Sequence, residues 1–274
     1  MKSKLDIMSV LGWLLAVGVI IVGCTMSTNK ETGQIVINMA NLKNFYDLTS
    51  VIIVLGGTTT ALMVSFPISA LAKIPKHLKI ILLPNVYEPS EYINTLVSFA
   101  KKARINGLLA LEEDLASIKD NFLKSSMVMV VDSVDPEKVK QQLESRLENL
   151  SDRHSQDAAF YSRGAGYAPS FAMMGTMFSL INMLRTLDDA ATIGPNMAIA
   201  LITTFYGVVI ANAIMNPIAN KLGIRHEEEY LCNLIISEGV QAIQAGENPK
   251  FIQERLVNLL PLYKQKGVAV EDAA

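Results

Sequence analysis

Four stretches of the chain contain no Asp, Glu, Lys or Arg: Ile7 to Asn29, Leu48 to Ala72, Gly164 to Leu184 and Ala190 to Asn220. Each exceeds the roughly 20 helical residues that cross about 30 Å of hydrocarbon. Other uncharged runs are about half that length, as in Thr32 to Leu42, and are too short to span. The pattern predicts four transmembrane helices. A positive start precedes the first run and could mark a secretory signal. The run is too long for one and ends without a small-residue cleavage site, so it reads as an uncleaved first helix.

The polar positions predict the rest. Residues 73–163 hold 13 basic and 13 acidic side chains, about half of the chain's charges, and read as a folded helical domain. From Pro136 the apolar positions Val139, Leu143, Leu147, Leu150, Ala158 and Tyr161 recur every three or four residues, with Asp135 as N-cap and Pro136 at the first helical position. This helix is expected to run into the third span. Pro89-Ser90-Glu91 opens an amphipathic run broken near Asn106-Gly107, which predicts two short helices and a turn. "KIILLP" is too short to span and reads as a packed or interfacial segment.

Lys73, Lys76 and Lys79 follow the second run, Arg163 precedes the third, and Lys221 and Arg225 follow the fourth. With Lys2 and Lys4, the excess of basic residues places these edges in the cytoplasm. The nearly neutral connection from Lys30 to Asp47 and the acidic "TLDDAATIGP" then face outward. The expected architecture is an all-α membrane protein with both termini inside. Residues 1–72 form the first two spans and a short outside loop, and residues 73–163 a cytoplasmic helical domain. Residues 164–220 form the third and fourth spans, and residues 221–274 cytoplasmic C-terminal helices that complete the domain.

Composition agrees: 50% of the 274 residues are hydrophobic and only 18% charged. The formal net charge of -2 gives no basic field for nucleic acid. Two cysteines, Cys24 and Cys232, make neither a disulfide framework nor a thiolate metal site. His77, His154 and His226 are far apart in sequence, and none forms an HxxxH pair, so no metal is expected. No nucleophile elbow, phosphate loop or dinucleotide fingerprint occurs, so nothing supports an enzyme. The acidic clusters at residues 112–114 and 227–229 read as solvated helix faces.

The spans carry a subtler chemistry. Pro169 and Thr176 are seven residues apart and share a helix face, with Gly175 thinning the helix beside the threonine. Ala200, Thr203, Thr204, Gly207 and Ala211 form a stripe of small residues in the fourth run. Such a stripe can be a packing face in a non-conducting scaffold. Its hydroxyls can also line an ion path by replacing part of a water shell. Ion pathways in membranes usually need a carboxylate, and Asp6, Asp47, Asp188 and Asp189 stand only at run edges. Either no ion moves, or another polypeptide brings the acid.

The segments "AKKARINGLLALEED", "APSFAMMGT", "MAIALITTFYG" and "MNPIANKL", in that order, resemble the MotA/PomA family of flagellar stator subunits over essentially the whole chain. The resemblance implies a ring, a pentamer, in the bacterial cytoplasmic membrane around two copies of a MotB-like, single-span, peptidoglycan-binding subunit. Those partners supply the ion-binding aspartate. Flow of H+ or Na+ would turn the ring and drive the rotor through a FliG-like protein, with no cofactor. Matched residue by residue, Pro169 and Pro217 become coupling prolines, Arg104 and Glu112 rotor contacts, and Thr176, Thr203 and Thr204 the ion path. Threonine at all three positions resembles sodium-type members, but hydroxyl count is a poor selectivity rule. The related ExbB/TolQ energy transducers have three spans, which four uncharged runs disfavour.

Overall fold

Capping side chains and prolines set most helix boundaries. The computed structural model describes residues 5–28 and 34–265, so Lys2, Lys4 and Lys30 lie outside the described residues. Two units result: one from residues 5–84 and 156–223, the other from residues 85–155 and 224–265.

In the first unit, Asp6 caps α1 (Ile7–Thr25) by accepting from the Ser9 amide at 3.2 Å. The helix stops before its uncharged run does, because Met26–Thr28 pairs antiparallel with Ile35–Ile37 as β1 and β2. Asp47 caps α2 (Leu48–Ser65), accepting from the Ser50 amide at 2.6 Å and its hydroxyl at 2.7 Å. A wide π-turn occupies Ile52–Gly56. The second uncharged run continues to Ala72, but α2 ends at Ser65. Pro67 forces Phe66 into extended backbone, with φ -133° and ψ 146°. Two short helices follow, α3 (Ile68–Ala72) and α4 (Ile74–Leu82). The "KIILLP" segment begins in the last turn of α4 and runs past its end, with Ile81 buried.

The second unit begins with α5 (Pro89–Asn106), which Gly107 terminates at φ 80°, a conformation that glycine adopts without strain. A 3₁₀ turn at Leu108–Leu111, α6 (Glu112–Ser117) and α7 (Asn121–Val131) follow. The expected helix from Pro136 is α8 (Pro136–Arg185), 50 residues long, with Asp135 accepting from the amides of Glu137 and Lys138. Helix α9 (Ala190–Gln244) likewise outruns its uncharged window and contains a second π-turn at Ile210–Met215. Both α8 and α9 contribute to both units. Helix α10 (Pro249–Asn258) completes the core of the second unit. There Val139 and Leu143 meet Ile93, Leu96, Met127, Ile235, Ile236, Ile252 and Leu256, all but excluded from solvent. Full burial of each such side chain contributes about 1.5–3 kcal/mol.

Among the described residues, three helical stretches are apolar and long enough to cross a membrane: α1, α2 and a window of α9. The end of α8, which holds the third uncharged run, is outside that set. Pro169, Ser170, Gly175, Thr176, Ser179 and Asn182 dilute its apolar content. The unit boundaries lie at residues 84/85, 155/156 and 223/224, not at the edges of the uncharged runs. One reason is that α4 and the adjoining turns of α8 pack with the spanning helices, through Ile81, Phe160 and Tyr161 against Leu62, Ile218 and Leu222.

Candidate functional site

Close helix contact builds the site. A methyl at Gly207 would lie 2.5 Å from Ala172 Cβ and 2.9 Å from the Ala168 carbonyl, so α8 and α9 approach with almost no side chain between them. One at Gly175 would lie 2.8 Å from Thr203 Cγ2 and 3.2 Å from Ile53 Cγ2, which brings α2 to the same place. Gly57 provides a further close approach, since a methyl there would sit 2.2 Å from the Phe171 ring. Residues without bulk at these positions are what allow three hydroxyls to meet.

Thr176 Oγ1 lies 2.9 Å from Thr204 Oγ1, 3.3 Å from Thr203 Oγ1 and 3.1 Å from the Ala200 carbonyl. Thr203 and Thr204 also donate toward that carbonyl, at 2.9 and 3.1 Å. A carbonyl oxygen has two lone pairs, so three hydroxyls cannot all bond it well at once. The alternative acceptors are the Ala172 carbonyl for Thr176 and the Ile199 carbonyl for Thr203, both at 3.1 Å. Each hydroxyl has somewhere to send its single proton, and the oxygens keep lone pairs for another donor or a cation. The expected trio therefore comes together, but its members differ in access. Thr203 is fully buried, Thr176 half-buried and Thr204 exposed on the surface of the chain.

The stripe Ala200, Thr203, Gly207 and Ala211 is buried as a packing face, and Thr204 stands outside it. A feature that periodicity within the fourth run had hidden lies beyond Thr204. Asn212 and Asn216 are exposed, and Asn216 Nδ2 donates to Asn212 Oδ1 at 3.2 Å. Their positions follow Thr204 at multiples of four, a spacing visible in the sequence once Thr204 is separated from the buried stripe.

Pro169 and Pro217 are both half-buried. Pro169 removes an internal donor from α8 where Gly207 abuts its Cα. Pro217 stands two residues after the π-turn of α9 ends at Met215, so a wide turn and a missing N–H fall close together.

Arg104 and Glu112 belong to the other unit and are exposed. Gly107 breaks the helix between them, so Arg104 lies in the last turn of α5 and Glu112 begins α6. Lys102 and Asp114, 2.7 Å apart, tie the two helices. Ile105 and Leu109, between them in sequence, are 82% and 72% exposed.

Two polar clusters were not legible in the sequence. His77 on α4 lies 3.0 Å from Tyr161 Oη and 3.4 Å from Asp157, which pairs with Lys73 at 2.7 Å. Burial holds the His77 imidazole below its ordinary range, outweighing Asp157. Burial raises the Asp157 carboxyl, but Lys73 and His77 bring it below the ordinary value; burial pushes Tyr161 up to about 12. His154 and His226, 72 residues apart in sequence, meet at 3.2 Å between their Nδ1 atoms. No group of three metal-ligating side chains occurs among the described residues.

Residues 114–232 match the model of the MotA/TolQ/ExbB proton channel family. The chain is 36% identical to motility protein A of Borreliella burgdorferi over 256 residues, 93% of this chain and 94% of that one. It is 35% identical to the chemotaxis protein PomA of Vibrio alginolyticus over 216 residues, 79% of this chain and 85% of that one. The structure of the flagellar MotAB stator complex from Bacillus subtilis superposes with a TM-score of 0.81 at 27% identity, covering 96% of this chain and 100% of that one. The family-model match includes the threonines and the prolines, and the likenesses to the Borreliella protein and the Bacillus stator cover more than nine tenths of the chain. The chain belongs to the MotA/PomA family of flagellar motor stator subunits.

Proposed function

We propose that this chain is a stator channel subunit that couples transmembrane flow of protons or sodium to rotation of the flagellar rotor. The observation that carries the reading is the hydroxyl cluster of Thr176, Thr203 and Thr204 in spans without a single carboxylate. Hydroxyls and carbonyls can pass a proton or replace part of a sodium shell, but they do not supply the charge that holds an ion in hydrocarbon. A second chain must bring it. A MotB-like subunit with one span, an aspartate in that span and a peptidoglycan anchor, present in two copies, meets the need. A closed ring of this chain, a pentamer, would surround it.

In this reading Thr204 and Thr176 present hydroxyls to the ion, and Thr203 holds the other two in place from its buried position. Asn212 and Asn216 continue the polar surface along α9. Pro169 and Pro217 let α8 and α9 bend as the partner's aspartate changes charge, which turns the ring. Arg104 and Glu112 then engage a FliG-like rotor protein, with Ile105 and Leu109 between them. The chain spans the bacterial inner membrane four times with both termini in the cytoplasm, as its basic run edges favour. It acts as a channel, not an enzyme, and uses no cofactor.

Purifying the chain with its genomic neighbour tests this. A single-span, peptidoglycan-binding partner whose membrane aspartate can be replaced by asparagine with loss of rotation, and without loss of the complex, is the expected outcome. Rotation that survives the replacement would refute the division of labour. Charge reversal at Arg104 and Glu112 together should abolish torque while membrane insertion persists; normal motility would remove the rotor contact.

A further inference from the structure

A cavity of about 480 Å³ lies within the unit formed by residues 85–155 and 224–265, and none of the residues assigned a role above lines it. Three cations line it: Lys119 ahead of α7, and Arg146 and Arg153 on α8. The two arginines are seven residues apart, so they share a helix face and point into the same space. None of the three makes an ion pair among the described residues.

The absence of pairing is informative because two carboxylates, Asp120 and Glu229, line the same cavity. Asp120 accepts from the Leu123 amide and the Tyr92 hydroxyl, both at 2.9 Å. Glu229 lines the same wall as Tyr87 and makes no ion pair with any of the three cations. Arg146 spends one nitrogen on Ser125 Oγ at 2.7 Å and keeps the remainder of its planar fork. A second, independent feature is Asn233, which also lines the cavity. Its side chain is 7% exposed and has no hydrogen-bond partner among the described residues. Its amide is open to the cavity rather than sealed from water, so it is free to bond a ligand atom there without breaking a bond within the protein.

We propose that this cavity binds a small soluble polyanion of the phosphate class, held by Lys119, Arg146 and Arg153 and hydrogen-bonded by Asn233. Three cations outnumber the two carboxylates at the wall, and arginine forks match phosphoryl oxygens with paired hydrogen bonds. The volume admits more than a single oxyanion, and the aromatic walls at Tyr87 and Phe122 leave room for an apolar portion. The site shares no residue with the threonine cluster or with Arg104 and Glu112, so it stands or falls independently of the stator reading.

The test is calorimetric titration of inorganic pyrophosphate into the full chain co-purified with its single-span partner, at low and moderate salt. Lys119 and Arg153 are exposed, so Lys119→Gln with Arg153→Gln should leave the fold intact, and an unchanged melting curve checks that. The expected result is saturable binding, one site per chain, that weakens with salt and falls at least about tenfold in the double variant. Asn233→Asp, which puts a negative charge at the wall, should weaken it further. Absence of saturable binding, or equal affinity in the double variant, overturns the proposal. So does carbodiimide cross-linking of Lys119 to a carboxylate of a neighbouring copy in the assembled complex, which would make the cavity part of an interface.

Discussion

Leu143 and Leu201 are the same side chain in opposite settings. Leu143 sits on α8 in the core of the unit that ends with α10, with no solvent exposure, among Ile93, Met127 and Ile235. Leu201 sits on α9 in the other unit, 68% exposed, with Thr203 and Gly207 buried in its place. In the first setting the driving force is removal of large apolar groups from water. In the second, lipid solvates leucine as well as protein does, so large apolar groups face out. The helices are held instead by close backbone approach and hydroxyl contacts. What the interior is made of thus reports which solvent surrounds each unit.

Truncating these two leucines should give the largest contrast. Leu143→Ala is expected to destabilise its unit by about 2–5 kcal/mol, because a cavity replaces a packed side chain. Leu201→Ala should change stability by no more than about 0.5 kcal/mol. Thermal unfolding of both variants in detergent would check this, and equal losses would break the comparison.

Glycines sharpen it from the opposite direction. Gly207→Ala places a methyl 2.5 Å from Ala172 Cβ and 2.9 Å from a backbone oxygen, neither of which can swing away. Overpacking of this kind costs about 1–3 kcal/mol, and separation of α8 from α9 should disperse the threonines and lower ion-driven rotation. Gly12→Ala on α1, where nothing lies within 4 Å, should leave both properties unchanged.

A smaller, pH-dependent effect is expected at His77. Its pKa is lowered in the folded protein relative to 6.5, so the unfolded chain binds more protons in the window just below 6.5. The stability it supports is complete above that value and declines as pH falls through the window toward the folded pKa. His77→Gln should flatten the melting temperature between about pH 7 and pH 5. A decline of unchanged slope would show that another group is responsible.

The sequence announced much of this because local signals were strong. Asp135 and Pro136 mark the start of α8, Gly107 ends α5, and Val139, Leu143, Leu147 and Leu150 are buried as their spacing requires. Uncharged length was a blunter ruler. It ran past the ends of α1 and α2, because a hairpin strand and Pro67 stop those helices without any charge. The π-turns in α2 and α9 leave no periodic trace that a short apolar run can reveal. The threonine cluster was legible as three residues and not as a network. Its geometry depends on the register of α8 against α9, which Gly175 and Gly207 set at contact range. That Thr203 is buried and Thr204 exposed is a consequence of the same register. His154 and His226 were invisible for a similar reason: only tertiary packing brings them to 3.2 Å.

Ion-driven rotation of the assembled complex with Thr176→Val and Thr204→Val combined is the most direct test of the polar path. Valine keeps the shape and removes both accessible hydroxyls, leaving buried Thr203 with the Ala200 and Ile199 carbonyls. The expected result is loss of most of the rotation speed at every driving force, with partner co-purification and melting temperature near those of the wild type. Wild-type speed in the double variant would contradict it, and would leave the threonines as packing residues alone.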